Sequence, residues 1–340
     1  MSLTPSHVDN LVRWAPDQVA GAYESHFIKV NLVAERVAFW WKFTVLQPIG
    51  AAARFEVWAI AFDLADPSRT CAAKQAFGAE AATIDRDVLR CRYGANLLEH
   101  GASSGSLDSP RGPITWDLRW SPPVEGLRHF PSEVMYRASI PKTKLNSPTV
   151  DGRFDGTVSV GGLSYTLHQT PGMQGHNWGT KHADAWVWVH ANVLHGGGAG
   201  AWFEAVSSRV KLGPFTTPQL TIVALNDGAD DPLLINGPVA MARAESHMDG
   251  LRWRFRSGDG SRSVEGVFHA PAERFVGVDY HDPDGTVTHC LNSKIADGEL
   301  RVLHRDRGIW RLRRTLEATA SAALEIGTKG DPMGVRLHLT

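Results

Sequence analysis

Apolar positions along this chain recur at a spacing of two, in short runs rich in β-branched and aromatic residues, cut by Gly, Asp, Asn and Pro clusters. That pattern predicts antiparallel β-structure. One short helix is expected near Pro5 to Arg13, opened by Thr4 with Pro5 in its first turn. Several hairpins carry their turns with them. "AFWWKFTVL" and "RFEVWAIAF" flank a loop around Pro48 to Ala52, and "GTVSV" and "LSYTL" flank Gly161 and Gly162. "LRWRFR" and "RSVEGVF" flank "SGDG", and "FVGVDY" and "TVTHCL" flank "HDPDG". "GIWRLRR" and "AALEIG" read as two further strands, and Ser103 to Pro113 as a long loop.

A chain of 340 residues with 43% hydrophobic content can build a sizeable core. So many hairpins over that length predict two β barrels or sandwiches in tandem, with a boundary close to Gly179 or Thr180 that divides the chain into 1–180 and 181–340. The formal net charge is −1, which gives no global case for nucleic-acid binding. Cys71, Cys91 and Cys290 have neither CxxC nor metal-ligand spacing and read as free thiols of a reducing compartment. With no secretory pattern at the start and no apolar run of membrane-spanning length, a cytoplasmic chain is expected. The basic run Arg301 to Arg314 leaves a weak peripheral membrane contact open, although two solvated strand faces are its preferred reading.

The densest chemistry lies in "GMQGHNWGTKHADAWVWVHAN", Gly172 to Asn192. From Asp184 onward it alternates strictly. Asp184, Trp186, Trp188, His190 and Asn192 share one face, and Ala185, Val187, Val189, Ala191 and Val193 the other. The aliphatic face suits burial, and the aromatic face with polar tips suits a lined pocket. The competing reading is a packed seam whose His and Asn satisfy one another. Spacing such as HExxH is missing, so no metal is expected, and His176 and His190 read as hydrogen-bonding or proton-transfer groups. In the next strand Trp202, Glu204 and Val206 share a face, which would bring Glu204 near His190 if the strands pair. Glu56 shares a face with Trp58 in apolar surroundings; it and Glu204 are candidate proton donors. The Gly196 to Gly200 run lacks the Lys and Ser/Thr of a phosphate loop, and no dinucleotide fingerprint or nucleophile elbow is present.

These residues carry a resemblance. "SIPKTKLNSP", "GRFDGTVSVGG" and above all the Gly172 to Asn192 stretch resemble the two-domain lipocalin-like superfamily that includes carotenoid 1,2-hydratase (hydroxyneurosporene synthase), tocopherol cyclase and the AttH-like proteins. The resemblance implies an all-β fold of two tandem lipocalin-like (calycin-type) antiparallel barrels and a lipophilic small-molecule substrate handled without a cofactor. It implies a lyase (hydratase) or isomerase (cyclase) acting on an apolar polyene, terpenoid or polyketide-like molecule. His176, His190 and Glu204 would then be catalytic, with Trp178, Trp186, Trp188, Asn192, Trp202, Glu56 and Trp58 binding the substrate. Hydratase members carry an acidic residue at the position where this chain, like the tocopherol-cyclase-like members, has Asn (Asn192 here), so either another acid (Asp184, Glu204 or His176) serves or the chain does not hydrate carotenoids. A non-catalytic carrier using the same container, or a scaffold associating through exposed aromatics, are the alternatives.

Overall fold

The computed structural model describes residues 6–340 apart from 17, 19, 210, 213 and 214. Two large antiparallel sheets account for most of it. The first has twelve strands between Ala22 and Gly179 and curls into a nearly closed barrel. The second has eleven strands between Ala185 and Leu339 and forms a half-barrel. Its edge strands Leu233–Ile235 and Glu245–Asp249 stay apart because the helix Pro238–Arg243 lies between them and buries Met241.

The hairpins read from the sequence are present. Val37–Gln47 pairs with Arg54–Asp63, and Arg252–Gly258 with Arg262–His269. Gly161 and Gly162, at φ 56° and 86°, close the hairpin between Thr143–Val160 and Leu163–Gly179. Two positive φ angles in a two-residue loop match the twist of the flanking strands, which is why glycine stands at both. Three expectations are corrected. "GIWRLRR" and "AALEIG" belong to one strand, Ile309–Thr328, which bends at a bulge near Ala320 (φ 46°) rather than breaking. The stretch from Ser103 is a strand as far as Leu107, because Asn96–Glu99 and Ile114–Trp120 supply ladder partners on both sides. The helix runs only from Ser6 to Asp9, and Thr4 and Pro5 lie outside the described residues.

Ala22–Leu32 and Val37–Gln47 are buried along their whole length. On the second of these, Phe39, Trp41, Phe43 and Val45 point into the first barrel, while Ala38 and Trp40 point outward into a second apolar cluster. That outer cluster is the seam on which the other sheet sits, through Trp188, Val276, Val278 and Tyr280. Edge-to-face pairs cross it: Phe27 with Trp188 at 5.4 Å and Trp58 with Tyr280 at 5.9 Å between ring centres. Each such pair contributes about 0.5–1.5 kcal/mol beyond the area it buries.

Gly156 and Gly162 separate two costs of replacing glycine. Gly162 is open around its Cβ direction, so Gly162→Ala meets only backbone strain, about 1 kcal/mol. At Gly156 (φ 135°) a Cβ would stand 1.9 Å from the Asp117 carbonyl oxygen. Gly156→Ala is expected to lose at least about 3 kcal/mol in urea unfolding. Equal losses in the two variants would show that the ladder beside Gly156 moves freely.

Candidate functional site

Between the sheets lies a cavity of about 570 Å³. The first barrel contributes Phe27, Trp40, Lys42 and Asn177 to its wall, and the half-barrel Trp186, Trp188, Ile222 and Tyr280. The strand Ala185–Ala191 is placed for this by its alternation: Val187, Val189 and Ala191 enter the half-barrel core and Trp186 and Trp188 face the seam. Gly327 is the cross-strand partner of Trp186, and a Cβ there would come within 2.2 Å of the indole. The absent side chain gives the ring its space.

Behind the Trp188 wall, His190 and Glu204 are direct cross-strand partners, as the pairing of these two strands requires. Glu204 is fully buried; its Oε1 accepts from Ser147 Oγ at 2.8 Å and Trp188 Nε1 at 2.9 Å, and His129 Nε2 lies 3.1 Å from it. Burial opposes ionisation of this carboxyl, but His129 beside it and the Trp188 indole hold it below its usual range. His190 Nε2 donates to the Val150 carbonyl at 2.7 Å, and burial pushes the ring down to about 3, so it is neutral with its one proton committed. Asn192 Nδ2 donates to Asp151 Oδ1 and the Gly172 carbonyl. These groups tie the sheets together across the seam.

Lysines occupy the aromatic faces. Lys42 Nζ is 3.4 Å from the centre of the Tyr280 ring and 5.3 Å from that of Trp58. Lys294 Nζ lies 5.3 Å from Trp40 and 5.2 Å from Trp188, and donates to Glu325 Oε1 and Asn292 Oδ1, both at 2.6 Å. Burial lowers both amines, Lys42 to about 8.

Strand parity sends His176 and Trp178 to the other side of their strand. His176 meets Glu24 and His26 beneath the N-terminal segment. The three offer ligand atoms within 4.8 Å of one another, as a metal site would. Their hydrogen bonds point to a different role. Glu24 accepts from the backbone N–H groups of Arg13 and Trp14, His26 Nε2 lies 3.0 Å from the Asn10 carbonyl, and His176 Nδ1 donates to the Asp9 carbonyl at 2.7 Å. These contacts fasten the segment onto the barrel, and a metal ion would have to displace them.

The remaining sequence candidates lie away from the cavity wall. Trp178 borders a separate recess of about 170 Å³ with Trp14 and Lys144. Glu56 does not sit in apolar surroundings: Arg54 Nε is 2.7 Å from one carboxyl oxygen and the Trp58 indole donates to the other at 3.1 Å. Trp202 is the cross-strand partner of Asn226, beyond the end of the Trp186 strand's ladder. Lys42, His129, His182 and Tyr280, which the sequence reading did not select as site residues, line the cavity.

Glu24 and His176 give a pH signature. His176 Nε2 stands 2.7 Å from Glu24 Oε1 while Nδ1 already donates, so one proton lies between them. Burial raises Glu24 above its ordinary 4.5 and lowers His176 from 6.5 to about 3. A carboxyl with a raised folded pKa adds stability that is full below 4.5 and is lost as pH rises. Glu24→Gln keeps the donor to His176 and the acceptor for Trp14 but removes that titration. In urea unfolding at increasing pH above 5 the variant is expected to gain on the wild type, with a slope that cannot exceed about 1.4 kcal/mol per pH unit. A difference that does not change with pH would mean an ionised Glu24 in the folded protein.

No family model matches the chain. An uncharacterised protein of Mycobacterium tuberculosis, present in two strains, is 27% identical over 224 residues, which cover 63% of this chain and 64% of the relative. The match therefore spans just under two thirds of the relative's length. Among solved structures, an AttH-type protein of Nitrosomonas europaea superposes with a TM-score of 0.52 at 12% identity, over 94% of this chain and 96% of its own. CghA, solved with Sch210972, gives a TM-score of 0.48 at 13% identity over 96% and 94%. The sheet architecture and the superposition over nearly the whole chain show that this protein has the two-barrel lipocalin-like fold of the superfamily that its sequence resembles.

Proposed function

We propose that the protein is a cofactor-independent enzyme of the cyclase or isomerase kind, which folds an apolar polyene, terpenoid or polyketide-like molecule against the indole walls of the seam cavity. The observation that carries this reading is the cavity itself. About 570 Å³ is within the range of small-molecule sites, and more than half of the lining residues are apolar, among them Phe27, Trp40, Phe130, Trp186, Trp188 and Tyr280, with charged groups such as Lys42, Lys181, Asp184 and Glu325 set between them. Holding a flexible chain in a reactive conformer is a sufficient source of rate for a ring closure.

The hydratase alternative needs a positioned acid and aromatic faces free to stabilise a carbocation. Neither is supported here. Lys42 and Lys294 already stand over Tyr280, Trp40 and Trp188, where they would repel a cationic intermediate. Glu204 is held ionised behind the Trp188 wall, and His190 spends its proton on Val150. In this reading His190, Glu204 and Asn192 position the wall rather than exchange protons with the substrate. His176 and Trp178 belong to the N-terminal attachment.

Native mass spectrometry of the purified protein, with organic extraction of anything bound, tests the proposal together with Trp-fluorescence quenching by a panel of polyenes and quinones. Saturable quenching is expected. Trp186→Ala should weaken it about tenfold, ~1.4 kcal/mol, while Trp202→Ala leaves it within about twofold. Conversion of the extracted compound by the purified protein identifies an enzyme, and its recovery unchanged identifies a carrier. A protein that carries nothing and shows no saturable quenching would make the seam a packing interface alone.

A further inference from the structure

The strand Val37–Gln47 carries one charged side chain, Lys42, on the face that it turns to the aromatic seam. Trp40 stands two positions before it on that face, and Phe27 and Trp58 are its cross-strand partners on either side. Lys42 is 4% exposed and lines the cavity. Its Nζ rests on the Tyr280 ring, 3.4 Å from the centre, and makes no hydrogen bond or salt bridge among the described residues. Other partnerless polar atoms of the seam, among them His182 Nε2 and Asn146 Nδ2, are sealed in. Lys42 Nζ is not sealed in this way and opens on the cavity.

The neighbouring charges are committed. Lys294 Nζ donates to Glu325 Oε1 and Asn292 Oδ1, both at 2.6 Å. Lys181 is paired with Asp284 and Lys329 with Asp184, each at 2.6 Å. His182 Nδ1 donates to Asp282 Oδ1 at 2.7 Å. Glu56 holds Arg54 and the Trp58 indole. Lys42 is thus left with aromatic neighbours and no paired carboxylate. Burial without a counter-ion penalises the charged amine and pushes Lys42 from 10.5 down to about 8. At neutral pH about a tenth of it is then free base, against less than about one part in a thousand for an ordinary lysine. A free amine in a desolvated pocket is the form that attacks a carbonyl carbon.

We infer that Lys42 is the nucleophile of a carbonyl-capturing site: an apolar aldehyde or unhindered ketone entering the cavity condenses with its Nζ to a Schiff base. The nitrogen lone pair forms the N–C bond, the carbonyl C–O bond breaks, and the oxygen leaves as water with the two hydrogens of the amine. A proton from solvent then makes the imine an iminium. Hydrolysis runs the same steps backward and frees the product, so no oxidant, reductant or cofactor is needed. The iminium holds its one positive charge where the ammonium stood, and the Tyr280 ring that faces Nζ serves both. Conjugated to a polyene, it withdraws electrons from the chain and so activates that chain for ring closure. Carboxylic acids and esters form no imine with an amine, so the site selects the aldehyde or ketone oxidation level.

This inference rests on the cavity reading above, and one probe separates the two. Cinnamaldehyde reports binding by Trp quenching. Sodium cyanoborohydride reduces iminium ions and fixes any Schiff base as a stable amine, which peptide mass spectrometry locates. At neutral pH and equimolar aldehyde, Lys42 is expected to be labelled at least about tenfold faster than Lys142, which lines the same cavity but is exposed. Lys42→Met should still quench and lose the label. Lys42→Arg retains a cation over Tyr280 and serves the same comparison should the methionine variant not fold. Quenching without an adduct on Lys42, or labelling spread equally over Lys42, Lys142, Lys181 and Lys329, would overturn the inference and leave the cavity standing. Absence of quenching would overturn both.

Discussion

Everything in this structure that concerns chemistry depends on one contact, the docking of the outer face of Ala22–Gln47 against the strand Ala185–Ala191 and its neighbours. Strands buried on both faces have no solvated side on which to place polar residues, so each inward or outward position is committed to a barrel core or to the seam. The seam still contains charges. Lys294 is tied to Glu325 and Asn292, Asn31 donates to the Lys294 carbonyl at 2.7 Å, and Ser147 donates across the seam to Glu204. Removing these groups from water costs several kcal/mol per ion, an expense tolerable only where each has a fixed partner. The seam therefore has one well-defined docking geometry, with room beside it for a cavity whose walls do not collapse.

Within that frame the dense stretch from Gly172 to Asn192 has two functions, separated by strand parity. From Gly172 to Trp178 the even-numbered residues point into the first barrel, where His176 meets Glu24 and holds the N-terminal segment. Met173 and Asn177 of the same stretch, with Trp186 and Trp188 beyond the connection, point to the seam. The His176–Trp178 pair thus ends beneath the N-terminal segment, and Trp186, Trp188 and His190 end at the seam.

This division marks how much of the protein could be read from its residues. The alternation of Asp184 to Val193, the pairing that puts Glu204 opposite His190, and the hairpins at Gly161 and at "HDPDG" were legible because period and turn chemistry are local. The position of His176 was not, since parity has to be carried through the bends of a strand seventeen residues long. The His182–Asp282 pair was equally hidden: the partners lie 100 residues apart, and an Asp in a hairpin turn looks like any other turn residue. The surroundings of Glu56 were misjudged because its same-face neighbours are apolar, while the Arg54 guanidinium reaches it from two positions away on the same strand. Side-chain reach of that kind leaves no periodic trace.

The cavity wall is shared between the two sheets: Trp40 and Lys42 come from an early hairpin of the chain, Trp186 and Tyr280 from the second half. Neither sheet alone supplies the whole of this wall. Reshaping the cavity therefore draws on two stretches that belong to separate cores. Grafting one half onto a relative's other half would produce a cavity with the wall of neither parent.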